Sequence, residues 1–169
     1  MHYAGFWRRA LAHLIDFCIT NGVSWGVEEA LLRAMYGVYF LIARFHHVPM
    51  KPYDDAFDPM IEQGVSVVVF LAVALPYYVW GTYRYGTTLG KRPFRISVVN
   101  MADGGPITLR QSVVRCLGYV LSYLTLGCGF LMAAFHPQKR CLHDLIAGTV
   151  SVVKDKDGAA LPEMEMKKA

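Results

Sequence analysis

Charge is scarce in this chain. Of 169 residues only 18% are Asp, Glu, Lys or Arg, and the run from Gly64 to Tyr83 contains none. A soluble domain covers its surface with charge, so this scarcity, beside a hydrophobic share of 54% and a mean hydropathy of +0.31, points to a membrane protein. Cysteine is sparse as well. Cys18, Cys116, Cys128 and Cys141 are scattered without CxxC spacing, so the spacing indicates neither a metal site nor a disulfide frame, and buried thiols are expected. No serine lies in a GxSxG context and the six histidines have no obvious Cys or Ser partner, so the chain reads as a non-enzyme. Gly86 and Gly90-Lys91 lack the full phosphate-loop spacing, which leaves nucleotide binding unsupported. The start of the chain shows no clean small-residue cleavage site, so its first apolar segment is expected to stay.

What is present is apolar sequence in spans. Gly64 to Tyr83 is twenty residues long, and about twenty helical residues cross a hydrocarbon core of roughly 30 Å. It is expected to be a transmembrane helix, with Pro76 at most kinking it. The opening run Gly5-Phe-Trp-Arg-Arg-Ala-Leu-Ala-His-Leu-Ile-Asp16 is apolar but carries Arg9 and Asp16 on one helical face, with a rise of roughly 10 Å between them. A carboxylate at such a depth needs a partner, and Arg9 is one candidate. The pattern runs to about Val27, stops at Glu28-Glu29 and resumes from Ala30 to Phe45. A span over 10–27 followed by an interfacial helix is favoured over one long helix, with Tyr36, Tyr39, Phe40 and Phe45 at headgroup level. His46-His47 reads as a solvated pair and Val48 to Glu62 as an acidic loop without calcium-binding spacing.

Beyond Arg84, the stretch Arg95 to Asn100 alternates like a strand, Met101 to Pro106 is a turn, and Ile107-Thr-Leu is expected to return as the hairpin partner. Cys116 to Phe135 is a third apolar stretch broken at Gly127-Cys-Gly129. It either crosses once or forms two shorter helices that enter and leave on one side. Val150 to Lys154 is strand-like, and residues 155–169 form a polar tail expected to be disordered. With two crossings and a re-entrant third stretch, only Arg33, Arg44 and Lys51 of the 17 basic residues lie outside, and the positive-inside rule favours that arrangement. It also puts Val150 to Lys154 on the same side as Arg95 to Asn100, where the two could pair.

These residues resemble the RDD family of small integral membrane proteins. The resemblance rests on Gly5 to Asp16, on Gly86-Thr-Thr-Leu-Gly-Lys-Arg with the following Ile-Ser-Val-Val, on Arg115, and on His143-Asp-Leu-Ile-Ala-Gly-Thr149, in that order over residues 5 to 154. It implies that the signature arginine is Arg9 and the two aspartates are Asp16 and Asp144. Gly86, Gly90, Lys91, Arg115 and His143 are the supporting positions.

The fold expected is an all-α membrane protein with two to three transmembrane helices, a re-entrant or shallow helical hairpin and a small cytoplasmic β-element. Residues 1–154 form the membrane domain, in a bacterial inner membrane with both termini cytoplasmic. Asp16 and Asp144 are expected to gather at Arg9. Two functions follow. One is a small transporter or cation/proton antiporter subunit using Arg9, Asp16 and Asp144 for coupling. The other is an accessory or assembly protein in which the cluster is a structural clasp. The partners expected are the lipid bilayer, a second copy or another membrane protein, and a monovalent cation or proton. No nucleic acid, cofactor or metal is expected.

Overall fold

The computed structural model describes residues 3–154, so the polar tail lies outside the described residues. Helix dominates. Helix α1 spans Phe6–Phe45, α2 Pro59–Tyr85, α3 Leu109–Leu124, α4 Cys128–Phe135 and α5 Leu142–Ala147, with strands β1 at Ile96–Asn100 and β2 at Thr149–Val153. The chain divides into two compact units, one formed by the residues up to Phe17 and from Leu75 onward, the other by Cys18–Ala74.

The break expected at Glu28-Glu29 does not occur, and α1 is one helix of 40 residues. The segment holds no proline, and Glu, Leu, Arg, Ala and Met around the pair are strong helix formers. The two acids are also used. Glu29 accepts from Arg33 Nε at 2.6 Å, one turn on, and Glu28 accepts from the Ser66 hydroxyl. The helix ends where His47 takes a left-handed φ of 55° and Val48 N–H bonds back to the Ala43 carbonyl at 3.0 Å. The histidine pair is thus a helix terminus. Tyr36 donates to the Lys51 carbonyl at 3.0 Å and Tyr39 accepts from the Lys51 N–H at 3.3 Å, tying the loop back to α1.

Helix α2 begins with Pro59 at its first position, where a missing N–H costs nothing, and Asp58 accepts from Met60 N–H at 2.8 Å. Among the described residues it is the one helix that is long and apolar enough to cross a membrane by itself. Only 11% of its most apolar window is buried, the opposite of a soluble core helix. Helices α3 and α4 are together apolar enough to count as a second span but are bent by 102°. The bend lies at Leu126 and Gly127, with left-handed φ of 51° and 85°. The break at the glycines therefore falls where the sequence places it, while α3 starts at Leu109, seven residues before the apolar stretch.

The expected hairpin is not formed. Ile107 to Leu109 does not return as a strand, because Thr108 caps α3. Its hydroxyl accepts from Gln111 N–H at 3.2 Å, and the Gln111 side chain accepts from Thr108 N–H at 2.9 Å. Strand β1 pairs instead with β2, antiparallel, from Ile96 opposite Val153 to Asn100 opposite Thr149. The other edge of β2 meets the start of the chain through a bridge from Tyr3 to Val152, and Ala4 N–H bonds to the Ser151 carbonyl at 3.1 Å. Ala4, Ala12 and Ile96 form a small buried core beside this sheet.

Candidate functional site

Short helix α5 carries Asp144 in its first turn, where the carboxylate reaches back to the Cys141 N–H at 3.3 Å and caps the helix. Asp144 is fully buried, and two guanidinium groups converge on it. Arg9 Nη1 bonds Oδ2 at 2.5 Å, and Arg115 Nη1 bonds Oδ1 and also the Thr149 hydroxyl, the latter at 2.7 Å. The rest of the Arg9 fork is committed to backbone. Nε donates to the Ala4 carbonyl at 2.9 Å and Nη2 to the Ser151 carbonyl at 3.1 Å, so one side chain ties α1 to the chain start, to β2 and to α5. Burial by itself would raise the Asp144 carboxyl. Arg115 and then Arg9 override it and hold the group well below the usual carboxylate range.

Asp16 does not join this cluster. Arg9 is spent on Asp144, Ala4, Ser151 and, at 3.6 Å, Cys141 Sγ. Asp16 is also fully buried, but the Tyr77 hydroxyl donates to Oδ1 at 2.5 Å, Gly90 N–H to Oδ1 at 2.7 Å and the Thr88 hydroxyl to Oδ2 at 2.5 Å. Gly90 is required by closeness. A Cβ there would stand 2.3 Å from the Ala12 carbonyl oxygen and 2.7 Å from Asp16 N, so the loop after α2 can lie on α1 only as glycine. Seven residues along a helix advance about 10 Å, which separates Arg9 and Asp16 into two sites.

The remaining sequence-chosen positions fall into place around the two carboxylates. Gly86 ends α2 with φ 64° and its carbonyl accepts from Val98 N–H at 2.7 Å. Lys91 is buried, and its ammonium donates to the Tyr119 hydroxyl at 3.3 Å and lies 5.9 Å from the centre of that ring. His143 is buried under Tyr119, ring centres 4.3 Å apart, with Nε2 3.9 Å from Asp144 Oδ1. Burial, reinforced by the surrounding cations and opposed by Asp144, holds its imidazole well below the ordinary value, so it is neutral. Cys141, His143 and Asp144 offer ligand atoms within 4.8 Å of one another. That set suits a cation poorly, because the carboxylate already carries two guanidiniums and burial pushes the Cys141 thiol up, away from thiolate.

Sequence reasoning missed Tyr77 and Thr88 as partners of Asp16, and the aromatic group of His13, Tyr119, Tyr123 and Phe130. A buried carboxylate can be satisfied by neutral donors, and Thr88 stands inside the very stretch that carries Gly86, Gly90 and Lys91. The aromatic group lines a cavity of about 350 Å³ whose wall also includes Arg9, Lys91, Arg115 and His143.

The model of the RDD family matches residues 3–148, which takes in both carboxylate sites. The chain belongs to the RDD family. It is similar to the uncharacterized protein YxaI of Bacillus subtilis, 30% identical over 89% of this chain and 97% of that one. The uncharacterized membrane protein YteJ of the same organism is 28% identical over 91% of this chain and 82% of its own length. A proline-rich antigen homolog of Mycobacterium tuberculosis matches 46% of this chain at 35% identity. No solved structure matches. With the exposed apolar surface of α2, these findings make the chain a membrane protein of the RDD family.

Proposed function

We propose that this RDD protein binds a small ligand within the membrane as a subunit of a transporter, with Asp16 and Asp144 holding the frame and the cavity as the working site. The observation that carries this reading is the combination of an aromatic-walled cavity of about 350 Å³ with a buried ammonium, Lys91, that has no carboxylate partner among the described residues. A buried charge left without its counterpart is costly and marks a site where a ligand supplies it. The protein performs no chemistry on that ligand. It acts as a homo-oligomer, since one long apolar helix and a bent pair do not enclose a path. Its orientation keeps both termini cytoplasmic, with Arg33, Arg44 and Lys51 outside and the other fourteen basic residues inside.

Cation/proton antiport at Asp16 is the second reading, and one feature favours it. The Tyr77 and Thr88 hydroxyls that donate to Asp16 can turn to accept a hydrogen bond when the carboxyl takes up a proton. The Gly90 N–H cannot coordinate a metal ion, so such a site suits a proton better than sodium.

Native mass spectrometry of the full chain released from neutral detergent tests the first reading. One small molecule per protomer is expected on the wild type and none on Ala10→Phe, which fills the cavity. Equal spectra for the two proteins would overturn it. Proteoliposomes with an entrapped pH dye should show no pH change when a sodium or lithium gradient is imposed. A change that disappears in Asp16→Asn would establish antiport in its place.

A further inference from the structure

The cavity is polarised along α1. Arg9 stands at one end and Phe17 at the other, eight residues or about 12 Å apart. At the Arg9 end the wall is cationic. Lys91 and Arg115 are buried, and Nε and Nη2 of Arg115 and Nδ1 of His143 have no hydrogen-bond partner among the described residues. No Asp or Glu lines the cavity among the described residues. Arg9, Lys91 and Arg115 bring three positive charges, and even counting both Asp144 and Asp16 one remains unmatched. Buried donors without acceptors are rare in folded proteins, and the two on Arg115, beside an ammonium with no carboxylate partner among the described residues, call for an anion.

Toward the other end the wall is apolar. His13 stacks on Tyr119 at 5.7 Å and lies 5.2 Å from Phe130, and its Nε2 is 2.5 Å from the Tyr123 hydroxyl. At the far end Leu14 is 56% exposed and Phe17 46%. An opening rimmed by leucine and phenylalanine admits acyl chains.

We infer that the cavity binds a single-chain amphiphile with one anionic headgroup, drawn from the bilayer. The headgroup lies against Lys91, Arg115 and His143, and the chain runs past His13 and Tyr123 toward Leu14 and Phe17. This rests on the ligand-binding reading above and names its chemical class. A carboxylate or phosphate supplies acceptors to Nε and Nη2 of Arg115 and a counter-charge to Lys91, and the apolar body replaces water along the aromatic wall.

The test uses full-length protein in nanodiscs of phosphatidylcholine, with empty nanodiscs as the reference and equilibrium dialysis as the readout. Laurate, dodecanol and dodecyltrimethylammonium carry the same chain with negative, neutral and positive heads. Laurate should bind roughly tenfold or more tightly than either of the others. Lys91→Met should remove most of that preference, leave dodecanol unchanged, and melt no lower than the wild type, because it deletes an unpaired buried charge. Dodecanol binding as well as laurate would overturn the anionic class while leaving the ligand-binding reading in place. Benzoate displacing laurate at equal concentration would overturn the bilayer source. Laurate binding retained in Ala10→Phe would place the ligand outside the cavity and overturn the inference together with the reading it rests on.

Discussion

Asp16 and Asp144 are buried to the same degree and satisfied by different means. Asp144 is met by two cations, Arg9 and Arg115, whereas the oxygens of Asp16 accept from two hydroxyls and a backbone amide. Removing one member of a buried ion cluster leaves the others as uncompensated charge. Removing charge from a group that accepts from hydroxyls and a backbone amide leaves those hydrogen bonds to rearrange. The same residue type at the same depth therefore carries different energetic weight, and substitution should separate the two.

The largest effect is expected at Asp144. Asp144→Asn strands the guanidiniums of Arg9 and Arg115, and the cost should be on the order of 3 to 5 kcal/mol, enough to prevent accumulation of monodisperse protein in detergent. Adding Arg115→Met, which removes one stranded cation at similar volume, should recover part of the yield. Failure of the double variant to improve on the single would mean that the cluster's electrostatics are not what Asp144 supplies.

Asp16→Asn comes next. The amide keeps the shape but turns an NH₂ toward hydroxyl and amide donors, so a loss of about 1 to 3 kcal/mol is expected, seen as a lower melting temperature with the helical signal intact. A loss as large as that of Asp144→Asn would erase the distinction between the two sites.

The smallest effect concerns pH. The Asp144 carboxyl is depressed in the folded chain, by Arg115 and Arg9 acting against its burial. Its contribution is thus fully present above the ordinary aspartate value of about 4 and is lost as pH falls below that, when the unfolded chain binds a proton that the folded chain refuses. Melting temperatures should be insensitive to this group between neutrality and pH about 5 and should decline only under stronger acid. A decline already beginning near pH 6 that Asp144→Asn abolishes would contradict the depressed value.

Much of this organisation was legible in the residues. Twenty uncharged residues from Gly64 onward specify a membrane helix because a hydrocarbon core tolerates little else, and the pairing of Val150 to Lys154 with Arg95 to Asn100 is realised in β1 and β2. The Gly127-Cys-Gly129 break marked the bend between α3 and α4, since a positive φ there suits glycine. Where the reading failed, a local signal was outweighed. Glu28-Glu29 looked like an interruption, yet helix propensity and two side-chain bonds carry α1 through it. Ile107-Thr-Leu looked like a strand, yet a threonine cap recruits it to α3.

By itself the sequence determined the class of the protein and the identity of its buried charges, because composition and span length answer directly to the solvent. Which charges meet was decided only by the tertiary structure. Arg9 and Asp16 are seven residues apart and take different partners, whereas Arg9 and Asp144 are brought to 2.5 Å across 135 residues by the packing of α5 and β2 on the start of α1. A helix fixes the distance between its own side chains, but which of several distant donors reaches a buried carboxylate depends on loops and crossings that no periodicity encodes.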